Sequence, residues 1–101
     1  MNFKGKNIIV TGASSGIGKA LAEYFGYQGA NVTLAARSID KLNEIASNIP
    51  SSLAVRCDVT KQEDCKLMIE QSVEKFGGVD VLINNAGLSM RAPQKLTSIN
   101  R

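Results

Sequence analysis

The densest chemical signal in the chain is the run Thr11-Gly12-Ala13-Ser14-Ser15-Gly16-Ile17-Gly18. Glycine has no side chain to hold an anion away from the backbone, and it accepts the positive φ that tight turns require. If a helix opens inside this run, its first N–H groups have no helical acceptor and lie at the positive end of the helix dipole. Such an end binds phosphate without help from Lys or Arg. Ser14 and Ser15 add hydroxyl donors. The expected chemistry is a grip on a diphosphate by Gly12, Ser14, Ser15, Gly16, Ile17 and Gly18. The spacing is Gly-x-x-x-Gly-x-Gly, which differs from Gly-x-Gly-x-x-Gly, and no Gly-Lys-Ser/Thr follows to make a P-loop. A glycine-rich turn alone can also be no more than a tight turn, so the flanking elements decide its meaning.

Those elements alternate. Asn7 to Thr11 (NIIVT) reads as a first strand leading into the glycine run. A first helix starts near Gly16, with Ile17, Ala20, Leu21, Tyr24 and Phe25 at helical spacing, and Gly29 ends it. Asn31 to Ala36 (NVTLAA) is the second strand. Ser38 is a suitable N-cap for a second helix with the stripe Leu42, Ile45, Ala46 and Ile49, stopped by Pro50. Ser52 to Cys57 (SLAVRC) is the third strand. Thr60-Lys61-Gln62-Glu63 has the form of a capping box for a third helix with Cys65, Met68, Ile69, Val73 and Phe76 on one face, broken by Gly77-Gly78. Val79 to Asn84 (VDVLIN) is the fourth strand, apolar on both faces. From Ala86 to Arg101 no period is evident. The β-α-β-α-β-α-β sequence predicts an α/β, Rossmann-like doubly wound parallel sheet of order 3-2-1-4. The fourth strand is then an open apolar edge, prone to pair with another chain.

Composition narrows the classes. A length of 101 residues fits one small domain, residues 1–101. Net charge is +3, yet Lys and Arg are scattered singly and the only aromatics are three Phe and two Tyr. Neither a basic stripe nor a base-stacking platform is present, which argues against nucleic acid. With no His and only Cys57 and Cys65, no metal site is expected, and both cysteines read as small apolar packing residues. No apolar run approaches the length of a membrane span and no signal peptide is evident, so a reducing, cytoplasmic setting is expected.

Three motifs stand in order at matching elements: Thr11-Gly12-x-x-x-Gly16-x-Gly18 after the first strand, Asp58-Val59 after the third, and Asn84-Asn85-Ala86-Gly87 after the fourth. Together they resemble the classical short-chain dehydrogenase/reductase family over almost the whole chain. The resemblance implies an oxidoreductase that passes hydride between a nicotinamide dinucleotide and a carbonyl or alcohol. It implies that the Asp58 carboxylate meets the adenine amino group with Val59 packed nearby. Asn85 would brace the central strands, and Ala86 and Gly87 would leave room for the adenosine ribose. The family's chemistry uses a Tyr-x-x-x-Lys pair, a Ser and an Asn. Here Tyr24 and Tyr27 are followed four positions on by Gln28 and Asn31, so neither begins that motif. The family's catalytic residues lie after the fourth strand, and Asn100 is not the family's catalytic Asn. The 101 residues are therefore expected to be the N-terminal, cofactor-holding part of the domain, with no catalytic residue of their own. Family members usually form homo-oligomers through later helices.

Which nicotinamide cofactor is held turns on the end of the second strand. Dinucleotide folds place an acidic residue there, about 20 residues past the glycines, for the ribose hydroxyls. Arg37 holds that position here. A guanidinium pairs with a 2′-phosphate and stacks on adenine, whereas a carboxylate repels the phosphate. NADP is expected, with NAD as the weaker alternative. Asp40 could approach the ribose, and Arg37 could be merely a solvated strand-end charge. Two further readings stay open: a nucleotide-binding module without catalysis, and a fragment that needs a partner to fold.

Overall fold

The computed structural model describes residues 2–86. Four strands and three helices follow one another: β1 (Asn7–Thr11), α1 (Gly16–Tyr27), β2 (Asn31–Ala36), α2 (Ile39–Ala46), β3 (Ser52–Arg56), α3 (Gln62–Phe76) and β4 (Val81–Ile83). The strands form one parallel sheet of order β3-β2-β1-β4. Ile8 pairs with Val32 and with Val81, and Val32 pairs with Ser52.

This order follows from the crossovers. A right-handed β-α-β unit that steps from β1 to β2, and again to β3, keeps its helices on one face. The return from β3 to β4, on the far side of β1, puts α3 on the other. Strand alternation supplies a core for each face. Ile8, Val10, Val32 and Leu34 pack with Ala22 and Phe25 of α1 and Leu42 and Ile45 of α2. Ile9, Ala35 and Val55 pack with Cys57 and Met68. The central strands are covered on both sides, which accounts for their nearly continuous apolar runs. At the amino ends of the strands, Asp80 Oδ2 accepts from the Asn7 amide at 2.8 Å, and Asn31 Nδ2 donates to Asn7 Oδ1 at 2.8 Å. This polar row lies opposite the glycine run and ties β4, β1 and β2 together.

Several expectations are corrected. In α1 the buried face is Gly18, Ala22, Phe25 and Gly26, whereas Ile17, Ala20 and Tyr24 are exposed. The helix lies so close that a Cβ on Gly26 would come within 2.7 Å of Ile49 Cγ2. Small residues therefore form the contact, and a stripe drawn through the large ones is rotated away from it. In α3 the buried residues are Met68 and Ser72, with Cys65 partly covered, while Ile69 and Val73 are exposed by 39% and 43%. The capping box does not form. The N-cap is Lys61 with no side-chain cap, because the Thr60 hydroxyl donates instead to Asp58 Oδ1. The third strand stops at Arg56, and the fourth spans only Val81–Ile83 rather than residues 79–84. Ile49 packs in the core just beyond the end of α2. Among the described residues β4 is a sheet edge, as expected.

Candidate dinucleotide site

β1, β2, β3 and β4 all end on the same rim of the sheet, and the order reverses between β1 and β4. A crevice opens at the carboxyl ends beside such a switch point. Here it is a cavity of about 470 Å³ lined by Gly12 and Ser14 after β1, Arg37 and Ser38 after β2, Asp58 and Val59 after β3, and Ala86 after β4. Ala36, Cys57 and Thr60 complete it. Residues from four separate connections thus converge because the topology delivers their strands side by side.

The glycines divide the work. Gly12 and Gly16 have φ of +65° and +57°, a left-handed conformation that glycine tolerates best. A Cβ on Gly16 would meet nothing within 4 Å, so the mouth of α1 is open at that point. Gly18 is different. It is buried, and a Cβ there would strike the Gly12 carbonyl oxygen and come within 2.6 Å of Asn85 Nδ2. Its lack of a side chain lets helix and loop touch. Ser15, the N-cap of α1, makes no side-chain cap bond, and Ser15, Gly16 and Ile17 are exposed at the first turn. Their amides lie at the positive end of the helix dipole and have no helical acceptor.

The loop after β4 is fastened to this mouth. Asn85 Nδ2 donates to the Gly12 carbonyl at 3.2 Å. Thr11 Oγ1 donates to Asn84 Oδ1 at 3.0 Å and accepts from the Ala86 amide at 3.0 Å. Thr11 is 2% exposed, so its hydroxyl serves the protein interior and not a ligand. Thr11 and Asn84 were not among the expected site residues. The signal for both was a polar residue at the end of a strand otherwise apolar on each side.

Asp58 organises the lip after β3. Its Oδ1 accepts from the Thr60 hydroxyl at 2.6 Å and the Thr60 amide at 3.0 Å, while its own amide donates to Asp64 Oδ2 at 3.0 Å. The Thr60 hydroxyl, then the Thr60 amide, hold the carboxyl below its ordinary value; the Arg37 and Lys61 charges act in the same direction. Asp58 is ionised at neutral pH, and its Oδ2 accepts no hydrogen bond among the described residues. Arg37 is exposed and forms no ion pair among the described residues, where Lys19 with Glu23 is the sole salt bridge.

Of the expected site residues, the cavity lining includes Gly12, Ser14, Arg37, Asp58, Val59 and Ala86. Ser15, Gly16 and Ile17 stand on the adjoining helix mouth. Gly18 and Asn85 lie behind the loop. Gly87 and Asn100 fall outside the described residues. Ser38, Thr60, Ala36 and Cys57 were not anticipated as lining; each neighbours an expected residue, and only the turn geometry brings it inward. No group of three or more metal-ligating side chains, and no helix long and apolar enough to cross a membrane, occurs among the described residues.

Comparison with known proteins fits this geometry. An oxidoreductase of Listeria monocytogenes is 43% identical over 97 residues, covering 92% of this chain and 39% of that protein. An 11-beta-hydroxysteroid dehydrogenase A of Sesamum indicum is 44% identical over 89 residues, 83% of this chain and 26% of that one. The crystal structure of a 3-ketoacyl-(acyl-carrier-protein) reductase from Brucella melitensis complexed with NADH superposes with a TM-score of 0.78 at 35% identity, over 80% of this chain and 34% of that chain. A short chain dehydrogenase from Bacillus anthracis gives a TM-score of 0.78 at 45% identity, over 83% of this chain and 35% of that one. The chain thus spans well under half the length of these relatives. Its residues 6–101 match the short chain dehydrogenase family, and with that match, the Rossmann sheet order and the glycine-rich mouth of α1, the chain belongs to that family of NAD(P)-binding oxidoreductases.

Proposed function

We infer that these residues hold the adenosine and diphosphate portion of NADP, and that the protein they serve is an NADP(H)-dependent oxidoreductase acting on a carbonyl or alcohol. The observation that supports the preference for NADP is Arg37: a guanidinium that lines the same cavity as Gly12 and Asp58 and forms no ion pair among the described residues. A 2′-phosphate beside it gains a charge-assisted, bidentate partner. The remaining contacts are assigned to residues of the lining and of the adjoining helix mouth and loop. The first-turn amides of α1, with Ser14 and Ser15, take the diphosphate. Asp58 Oδ2, which accepts no hydrogen bond among the described residues, accepts from the adenine amino group, and Val59 packs against the base. Ala86 leaves space for the ribose, and Asn85 keeps the loop in place. When bound, the cofactor supplies the hydride. We assign binding and orientation to these 101 residues and no proton transfer, since no Tyr-x-x-x-Lys pair occurs among them. In this reading residues 1–101 are the N-terminal dinucleotide-binding part of a single domain in a reducing, cytoplasmic setting.

The deciding experiment is a fluorescence titration of the chain with NADPH and with NADH. Tighter binding of NADPH, abolished as a preference in Arg37→Asp, supports the reading. Equal affinity for both, unchanged in the variant, overturns it. Use of NAD is the second reading; Asp40, in the first turn of α2, and the NADH complex of the Brucella relative favour it.

A further inference from the structure

The cavity has a feature that phosphate or adenine binding does not use. Cys57, directly after β3, is 2% exposed yet lines the cavity, immediately before Asp58 and Val59. Cys65, in the first turn of α3, is partly exposed and packs against the same apolar cluster as Cys57. Its Sγ lies 3.6 Å from the Val59 carbonyl oxygen, to which it donates, and is therefore tucked beneath the lip that carries Asp58. Both cysteines are free. A second tie, from the Asp58 amide to Asp64, already couples this lip to the start of α3.

We propose that Cys57 and Cys65 form a dithiol beneath the adenine end of the cavity that closes to a disulfide by exchange with a low-molecular-weight disulfide, and that closure weakens cofactor binding. Only the second half rests on the cofactor reading above. The exchange is balanced. The Cys65 thiolate attacks one sulfur of the reagent, breaking its S–S bond and releasing one thiolate. The Cys57 thiolate then attacks the Cys65 sulfur and expels the second. Two protein thiols are oxidised, one disulfide is reduced, and the two thiol protons end on the two released thiols. Cys65 is the entry point because it is the more exposed of the two.

The effect on binding follows from geometry. A disulfide holds its sulfurs about 2 Å apart, well inside the non-bonded separation of two thiols. Closure draws the two sulfurs together, and Asp58 and Val59, the next two residues after Cys57, are coupled to that change. A lip altered in this way is expected to hold the base less well. Reciprocity then requires that bound cofactor oppose closure by the same factor. Burial, and next the neighbouring Cys65 thiol, push the Cys57 thiol up to about 11; Asp64 and Asp58, the charged groups facing it, act in the same sense. The second step is accordingly slow at neutral pH and accelerates with rising pH, which keeps the pair reduced under mild conditions.

The test uses the 101-residue chain equilibrated with mixtures of oxidised and reduced glutathione, read by intact mass and by NADPH titration. The wild type is expected to lose two hydrogens as the oxidised fraction rises. Its NADPH affinity is expected to fall about fivefold or more, the usual scale of coupling between sites. Saturating NADPH should shift the half-closure ratio by that same factor. Cys65→Ser, which leaves the cavity lining intact, should bind NADPH alike in both mixtures. A wild type that never loses the two hydrogens overturns the proposal. So does closure with unchanged NADPH affinity, which removes the coupling. A reduced chain that binds no NADPH but still closes strikes the cofactor reading and leaves the dithiol standing.

Discussion

The side-chain amide of Asn85 donates to the backbone carbonyl of Gly12 across the switch point of the sheet, at 3.2 Å. With the bonds of Thr11 to Asn84 and Ala86, it joins the loop after β4 to the end of β1 and the loop that follows. It also fills the space where side chains on Gly12 or Gly18 would stand. The glycine motif and the Asn motif are thus two halves of one contact, and changes in either are expected to act through the other.

Gly18→Val tests this. The added atoms meet the Gly12 carbonyl and Asn85, both held in place, so the expected cost is about 1–3 kcal/mol of stability, with NADPH affinity falling as a consequence. Gly16→Ala meets no neighbour and suffers only the left-handed backbone, about 1–2 kcal/mol. Thermal unfolding together with NADPH titration separates the two. Equal stability of wild type and Gly18→Val would remove the packing role.

Arg37→Asp is expected to reverse the cofactor preference. Losing a hydrogen-bonded charge partner for the 2′-phosphate is worth about 1.5–3 kcal/mol, roughly a tenfold loss of NADPH affinity or more. NADH affinity should hold or rise, because a carboxylate suits the free ribose hydroxyl. The ratio of the two dissociation constants is the measurement.

Asp58→Asn should flatten part of the pH dependence of stability. The Asp58 carboxyl is depressed in the folded state, so its contribution is present above the unfolded value, about 4, and is lost as pH falls through the folded value. The gap in unfolding temperature between wild type and variant should be constant from pH 7 to about pH 5 and close below that. A gap that widens toward acid would contradict the assignment.

Ser72 and Thr33 make a hydroxyl pair between α3 and β2, each 1% exposed, at 2.9 Å. Ser72→Ala leaves the Thr33 hydroxyl buried without its partner, at an expected cost of about 1–3 kcal/mol. The double variant Ser72→Ala with Thr33→Val should recover part of that loss. Denaturant unfolding of the four proteins in a double-mutant cycle gives the coupling directly.

Much of the architecture was legible in the residues themselves. β1 and β2 run over the spans their β-branched content indicates, and α1 begins at Gly16, because short-range preferences there agree with burial. The order of elements and the handedness of crossovers sufficed for the sheet order. Local chemistry also placed Gly12, Arg37 and Asp58 at strand ends, where parallel topology gathers them. Other features depended on what each residue touches. Whether Gly18 faces a ligand or the Gly12 carbonyl is decided by a loop some seventy residues away. Thr60 had two acceptable partners, a helix end and Asp58, and the turn after β3 selected Asp58. The covered faces of α1 and α3 differ from the apolar stripes because periodicity weighs residue size, whereas close contact favours small residues: Gly18 against the Gly12 loop, Gly26 against Ile49 and Ser72 against Thr33. The residues alone thus determined which elements form and in what order they pair, since those depend on local preference and chain direction. Tertiary contact decided which side of each helix is covered and which glycine packs against a neighbouring loop, because these depend on partners distant in the chain.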